Sequence, residues 1–202
     1  MIKSYLTDAG FDITNIGVQI YGGHGFIKEW GMEQYVRDAR ITQLYEGTNG
    51  IQALDLVGRK LGQNMGRLLR RFFHPVQNFL EENMEHEALK DVIPVYYKAF
   101  SKLQQASLFV AQKGMKNPDE AGAAATDYQR IFAIIAIGYM WLLMAKTAHE
   151  KIESGEGDTA FYKSKLKTAK FFFERILPEH YSRYHAMLTG SETMMSFTED
   201  EF

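Results

Sequence analysis

Apolar residues recur at helical spacing from the start of the chain. Between Ile2 and about Ile20 they stand three, four or seven positions apart, which places them on one face of a helix. Gly10 lies inside this stretch and is expected to bend or divide the helix. Sustained alternation of β-branched and polar residues, the mark of a strand, is nearly absent. The pattern predicts an all-α protein.

Glycines then interrupt the pattern between Tyr21 and Gly31. This stretch holds Gly22, Gly23 and Gly25 as well as Gly31, and glycine weakens a helix by up to about 1 kcal/mol per residue. We therefore predict a loop of special backbone geometry here, followed by a short helix over about residues 32–39.

A further helix is predicted to begin at Thr48, which is a favourable N-cap residue. Gly62 stands near the expected carboxyl end of this helix. The apolar residues spaced to bury one face are Ile51, Leu54, Val57 and Leu61.

Longer helices are predicted after residue 63. Their approximate ranges are 65–84, 89–113, 121–154 and 159–177, with Asn117-Pro118 as one of the breaks between them and Pro178 ending the last. We accordingly divide the chain near Gly62 into a first domain, 1–62, and a second domain, 63–202.

Composition indicates a soluble, globular protein. The chain has 202 residues, 46% of them hydrophobic, and a formal charge of only −2, which gives no basic surface for nucleic acid. Cysteine is absent, which excludes thiolate chemistry and disulfides and favours a cytoplasmic location. The apolar stretch from Ile131 to Ala145 is too short for a bilayer span and is predicted to be a buried helix.

Several polar and aromatic groups could carry chemistry but favour structural roles. His180 with His185, and Glu82 with His86, do not have the spacing of a known metal site, so we predict no metal. Residues 37–40, Arg-Asp-Ala-Arg, are expected to form ion pairs that position a loop. The phenylalanine groups at 72–73 and 171–173 are expected in the core.

Three blocks occur in order within the first 60 or so residues: Gln19-Ile-Tyr-Gly-Gly-His-Gly-Phe26, Arg37-Asp-Ala-Arg40 and Tyr45-Glu-Gly-Thr-Asn-Gly-Ile-Gln52. Together they resemble the carboxyl-terminal signature of the acyl-CoA dehydrogenase family. The later part of the chain resembles the extra helical domain of large bacterial members of the methylmercaptopropionyl-CoA dehydrogenase type. The expected fold is thus the carboxyl-terminal helical bundle portion of an acyl-CoA dehydrogenase, followed by an additional helical bundle domain.

The resemblance implies an FAD-dependent oxidoreductase that dehydrogenates the α and β carbons of an acyl-CoA. Glu46 matches the family's base, which removes the α-proton, and Gly47 beside it would admit the thioester closely. A dry site raises the pKa of a carboxyl group into the range of a general base, so we expect a dry pocket around Glu46.

The resemblance also assigns residues to FAD. One group matches the segment that approaches the adenine-diphosphate portion from a neighbouring subunit: Gln19, Gly22 and Gly23. Another matches positions that contact the flavin just after the base: Thr48, Asn49 and Gly50.

The implied partners are an acyl-CoA substrate, electron-transfer flavoprotein as electron acceptor, and further copies of the chain in a homo-oligomer. The chain offers no candidate for the family's middle β domain, which covers much of the flavin, so we expect the chain alone to bind FAD poorly and to be nearly inactive. A non-catalytic helical interaction module that keeps the signature is an alternative.

Overall fold

A computed structural model describes residues 1–201, and every regular element in that range is helical. The α-helices are α1 (Ile2–Tyr21), α2 (Gly23–Phe26), α3 (Met32–Thr42), α4 (Asn49–Asp55), α5 (Arg67–Glu82), α6 (Ile93–Lys116), α7 (Pro118–Ser154), α8 (Thr159–Phe171), α9 (Glu179–Leu188) and α10 (Glu192–Met195). The prediction of an all-α fold is therefore confirmed.

Helices α1 and α3 form an antiparallel pair. Met32, at the start of α3, contacts Gly17 near the end of α1, and Gln43, just after α3, donates a hydrogen bond to Asp8. The loop predicted between the two helices is wrong, because α2 and a 3-10 turn at Lys28–Trp30 occupy it. The glycine content that weakens a long helix lets short helical turns pack closely on α1.

The second helical group is built around α7. This helix packs against α4, α6, α8 and α9, and its buried side chains join those of α6 in the core. By length and composition α7 could cross a membrane, yet half of its most apolar window is buried inside the bundle. Most residues of the stretch from Ile131 to Ala145 are buried, as predicted.

Helix α4 connects the two groups. It begins after Thr48, continues into a π-helical turn at Leu56–Lys60, and both segments pack on α7. Val57 and Leu61 lie against the core as predicted, whereas Ile51 and Leu54 are exposed, which corrects the prediction for these two residues. The side chains that face α7 are set by the π-helical turn, because a π-helix has more residues per turn than an α-helix and so changes which positions share a face.

Two prolines that end helices, as predicted, also stand at the start of the next helix. Asn117-Pro118 does not only break the chain but starts α7, with Asn117 Oδ1 accepting a hydrogen bond from the Asp119 amide. Pro178 similarly precedes α9, a helix that sequence periodicity missed. Proline lacks an amide hydrogen and has a helical φ, so it is as suitable at a helix start as it is unsuitable in a helix interior.

The apolar stripe of α1 is exposed. The stripe consists of Ile2, Leu6, Ile13, Ile16 and Ile20, and each has more than half of its surface accessible. The predicted helix is confirmed, but α3 and α4 pack against other positions of α1. The aromatic groups fit the core prediction better: Phe172 and Phe173 are buried, and Phe72 and Phe73 are partly buried and pack against the core. Phe171, in contrast, is exposed.

Candidate functional site

The turn that carries Glu46 has an unusual backbone. Glu46 has a φ of 57° and Gly47 a φ of 78°, so two consecutive residues are left-handed. Such angles are free for glycine but cost energy for glutamate. Glycine at position 47 therefore suits the left-handed backbone of the turn. Glu46 is held in a left-handed conformation that a glutamate does not favour.

Helix α4 fixes the carboxyl side of this turn. Gln52 Nε2 donates a hydrogen bond to the Glu46 carbonyl at 2.8 Å. The same amide nitrogen would lie 3.0 Å from a Cβ added at Gly47, so the side chain of Gln52 occupies the space that a larger residue would need. A side chain at Gly47 would thus have to displace the Gln52 amide as well as adopt an unfavourable backbone angle.

The beginning of α4 has the predicted cap. Thr48 Oγ1 accepts a hydrogen bond from the Ile51 amide at 3.4 Å. The amides of Asn49 and Gly50 belong to the first turn and have no intrahelical acceptor. A Cβ added at Gly50 would meet no described atom within 4 Å, so packing inside the chain does not explain why glycine stands there.

Asn49 turns its side chain towards α1. Its Nδ2 donates to Asp8 Oδ1 at 2.6 Å and to Thr7 Oγ1 at 3.0 Å, while its Oδ1 accepts from Lys3 Nζ at 2.8 Å. The side chain is therefore used inside the chain. A cofactor contact at this position would fall to the backbone amide.

The glycine-rich segment lies at the other end of α1. Gly22 ends the helix with a φ of 61°, and its amide donates to the exposed Gln19 through that residue's carbonyl at 3.2 Å. A Cβ at Gly25 would lie 2.5 Å from the Val18 carbonyl oxygen, whereas a Cβ at Gly23 would meet no described atom within 4 Å. Packing explains Gly25, which the sequence did not single out, but it does not explain Gly23.

Helix α1 separates the two groups of predicted site residues. Asn49 contacts Asp8, and the rise of an α-helix puts Gly22 roughly 20 Å further along the axis. Glu46, Gly47, Thr48, Asn49 and Gly50 are together at one end, and Gln19, Gly22 and Gly23 are together at the other. The predicted site residues therefore form two separate groups on the chain.

The predicted dry pocket around Glu46 is not formed by residues 1–201. Glu46 is exposed. It lines neither the apolar cavity of about 660 Å³ beside Leu54 and Val57 nor the polar cavity of about 90 Å³ beside Asp8 and Arg130. The turn lies on the surface, where only one side of such a pocket is provided.

The segment 37–40 and the histidines were the other candidates for chemistry. Arg40 hydrogen-bonds Gln43 and forms no ion pair among the described residues, which corrects the prediction of an ion-pair set at 37–40. His180 is buried with its Nδ1 beside the Leu177 carbonyl oxygen at 2.5 Å. Ligand-type atoms of Glu87, His149 and Glu153 lie within 4.8 Å of one another, a grouping that sequence spacing did not indicate, but both glutamates are exposed.

The residues of α1 that contact the Glu46 turn were not predicted from the sequence. Lys3, Thr7 and Asp8 are the polar positions involved, and their side chains reach Gln43, Gly47 and Asn49. A signal existed, since Lys3 and Thr7 stand at positions i and i+4 and share one face of a helix. That signal does not say which segment the face would contact.

Comparisons with known proteins agree with this architecture. Residues 1–61 match the family model described as acyl-CoA dehydrogenase, C-terminal domain, and residues 72–198 match the model described as acetyl-CoA dehydrogenase C-terminal like. The 3-methylmercaptopropionyl-CoA dehydrogenase of Ruegeria pomeroyi is 34% identical over 95% of this chain and 32% of its own length. A butyryl-CoA dehydrogenase of Syntrophomonas wolfei is 28% identical over the whole of this chain and 33% of its own length.

A solved structure shows the same fold. The crystal structure of an acyl-CoA dehydrogenase complexed with FAD from Bacillus anthracis superposes with a TM-score of 0.69 at 22% identity, over 96% of this chain and 32% of that one. This chain thus spans about a third of the length of the relatives it matches. The two family models, the relatives and the shared fold show that the chain belongs to the acyl-CoA dehydrogenase family and corresponds to its carboxyl-terminal part.

Proposed function

We propose that the chain supplies the base-bearing part of a flavin-dependent enzyme that dehydrogenates an acyl-CoA between its α and β carbons. The observation that carries the proposal is the turn at Glu46 and Gly47. Its carboxylate is solvent-accessible, its backbone is held in a left-handed conformation, and it directly precedes the helix terminus of α4. A carboxylate carried by a held backbone, beside free amides, suits the abstraction of a proton from a bound thioester.

The residues present fit an FAD as two half-sites. At α4, the amides of Asn49 and Gly50 offer donors and the positive end of the helix to an electron-rich group. At the end of α1, Gly23 leaves open the space that a Cβ would fill, and Gly22 and Gln19 shape the same turn. When bound, FAD supplies the acceptor for the hydride that leaves the β carbon.

In this scheme Glu46 takes the α-proton of the acyl-CoA onto its carboxylate, and the carbon–carbon double bond forms between the α and β carbons. Gly47 has no side chain of its own, which lets the thioester approach the turn beside the base. The exposed position of Glu46 requires further protein to exclude water from the reacting atoms.

We further propose an oligomeric state, a domain division, an electron acceptor and a location for the enzyme. The roughly 20 Å between the half-sites, measured along α1, favours a homo-oligomer in which each half-site serves a different FAD. We propose residues 1–62 and 63–202 as separate domains. We also propose that electron-transfer flavoprotein accepts the electrons and that the enzyme is located in the cytoplasm.

The test replaces Glu46 by glutamine in the complete enzyme. Glu46→Gln is expected to keep its flavin but to lose exchange of the substrate α-proton with solvent, as followed by NMR in deuterated buffer. Glu85→Gln, which neutralises another exposed glutamate on the second helical group, is the matched control and should behave as the unaltered enzyme. Unchanged turnover in Glu46→Gln would remove the residue from its role.

The chain by itself is expected to bind FAD weakly and to oxidise acyl-CoA poorly, because it provides only one side of the site. Purification of the chain without the remaining protein tests this directly. A yellow, flavin-loaded protein that oxidises an acyl-CoA would contradict the expectation.

A second candidate function is a non-catalytic helical interaction module. The exposed stripe of α1 favours it, since five large apolar side chains on one helix face form a surface suited to a protein partner. Mixing the chain with the rest of a family enzyme separates the two candidates. An inactive complex that binds FAD would support the interaction module, and an active one the dehydrogenase.

A further inference from the structure

The geometry points to Lys3 as a positioning residue that holds the Glu46 turn in place for proton abstraction. This inference rests on the proposed function of Glu46. It concerns a residue outside the three sequence blocks, and it follows from contacts between the beginning of α1 and the segment between α3 and α4.

The ammonium group of Lys3 spans the turn. Its Nζ donates to the Gln43 carbonyl at 3.4 Å and to the Gly47 carbonyl at 3.0 Å, and these two carbonyls lie on either side of Glu46. The third donor goes to Asn49 Oδ1 at 2.8 Å. An ammonium has three donors, so all of them are directed at this one turn.

The turn needs such support because of its backbone. Glu46 is one of three non-glycine residues with positive φ in the described range, and such a conformation persists only where neighbouring groups impose it. Gln52 secures the Glu46 carbonyl from α4, and Lys3 secures the carbonyls flanking it from α1. Contacts from two helices therefore hold the backbone that carries the carboxylate.

The charge of Lys3 strengthens these contacts. Its acceptors are two carbonyls and an amide, and no ion pair of Lys3 is present among residues 1–201. Asp8, the acid in this network, instead accepts hydrogen bonds from Gln43 and Asn49. Hydrogen bonds from a charged donor are about twice as strong as neutral ones. The half-buried Lys3 therefore makes the strongest hydrogen bonds to the turn.

The first experiment measures the turn itself. Lys3→Met keeps the length of the side chain but removes the donors, and hydrogen exchange followed by mass spectrometry reports on residues 43–49. The amides of this segment are expected to exchange at least about tenfold faster, with exchange in the α6–α7 core unchanged. Equal exchange in a folded variant would overturn the inference.

The second experiment measures the catalytic consequence in the complete, flavin-loaded enzyme. Lys3→Met is expected to lower kcat and α-proton exchange about 10- to 100-fold, the effect of misplacing a reacting group, with little change in KM or FAD content. Lys3→Arg, which keeps charge and donors, should recover most of the loss. A merely structural role would lower the amount of folded enzyme and leave kcat per bound flavin unchanged, which would also overturn the inference.

Controls separate this inference from the proposed function. Lys163→Met removes an exposed lysine of α8 and is expected to change neither measurement. If Lys3→Met fails to fold, Lys3→Gln, which retains a polar donor, replaces it with the same expected direction. Absence of dehydrogenase activity in the unaltered enzyme would refute the proposed function, whereas normal activity in a folded Lys3→Met would refute only the role of Lys3.

Discussion

The ring of Tyr96 lies against the backbone of Gly138, and a Cβ at that glycine would stand 2.7 Å from the Tyr96 Cε2 atom. The Tyr96 hydroxyl donates to the Ile135 carbonyl one turn earlier on α7, at 2.8 Å. A fully buried aromatic side chain of α6 thus depends on a missing side chain of α7, and this contact sets how closely the two central helices approach.

Gly138→Ala is expected to destabilise the chain by about 1 to 3 kcal/mol, because the core cannot shift the Tyr96 ring without loss of packing. Urea unfolding followed by circular dichroism measures the change. Gly122→Ala is the matched control on the same helix, since its Cβ would meet no described atom within 4 Å. It should stabilise the chain by about 0.5 to 1 kcal/mol, and equal effects of the two substitutions would contradict the packing argument.

Gly25 and Gly23 are expected to separate folding from cofactor binding. Gly25→Ala should distort the segment after α1, because its Cβ would overlap the Val18 carbonyl, and faster hydrogen exchange at residues 22–30 would report this. Gly23→Ala should leave the exchange unchanged but weaken FAD binding to the complete enzyme, as measured by fluorescence titration. Unaltered FAD affinity in Gly23→Ala would remove that residue from the half-site.

His180 is expected to make the stability of the chain depend on pH. Burial lowers the pKa of His180 below 6.5, with the charge of Lys102 acting in the same direction and the hydrogen bond to Leu177 opposing them. The unfolded chain therefore binds a proton more readily than the folded one. The resulting stability is fully present above about pH 6.5 and is lost as the pH falls below it.

Urea unfolding at several pH values between 7.5 and 5 measures this contribution. His180→Asn keeps a donor for the Leu177 carbonyl but cannot titrate, so the decline of stability towards low pH should be shallower than in the unaltered chain. His185→Asn, five residues further along α9, is the control. Parallel curves for the chain and His180→Asn would refute the prediction.

The pair of Arg130 and Glu179 is expected to secure α9 to α7. Two hydrogen bonds of 2.9 and 3.1 Å join the groups. Burial raises the pKa of Glu179, but the hydrogen bonds and charges of Arg130 and Arg183 outweigh it and the pKa is lowered overall. The stabilisation is therefore present above about pH 4.5 and is lost as the pH falls through the folded-state pKa.

Glu179→Gln should accordingly cost about 1 to 3 kcal/mol at pH 7 and much less at pH 3. Unfolding by urea at both pH values provides the measurement. Glu174→Gln breaks the exposed pair with Lys170 and should change stability by less than about 0.5 kcal/mol. A pH-independent loss in Glu179→Gln would show that packing, and not charge, is responsible.

Much of the local structure followed from sequence patterns. The apolar spacing of α1 indicated a helix, and the hydroxyl of Thr48 marked the start of α4. The Glu46 block could be assigned by resemblance alone. Local backbone preference explains this success, because caps and side-chain periodicity act within a few residues.

Other features required contacts between distant segments. Helical periodicity placed Ile13, Ile16 and Ile20 on one face but did not show that the face is exposed, since exposure depends on what packs against it. The helix after Pro178 was missed because proline ends one helix and begins another with the same residue.

The sequence by itself determined that this protein is helical, that it carries the signature of its family, and which carboxylate is the candidate base. Only the tertiary structure decided that Glu46 stands in a left-handed turn held by Lys3, and that the glycine segment lies at the far end of α1. The physical reason is the distance along the chain between the residues that interact. A motif specifies residue types along the chain, whereas the contact of residue 3 with residue 47 and the length of a rigid helix are set by folding.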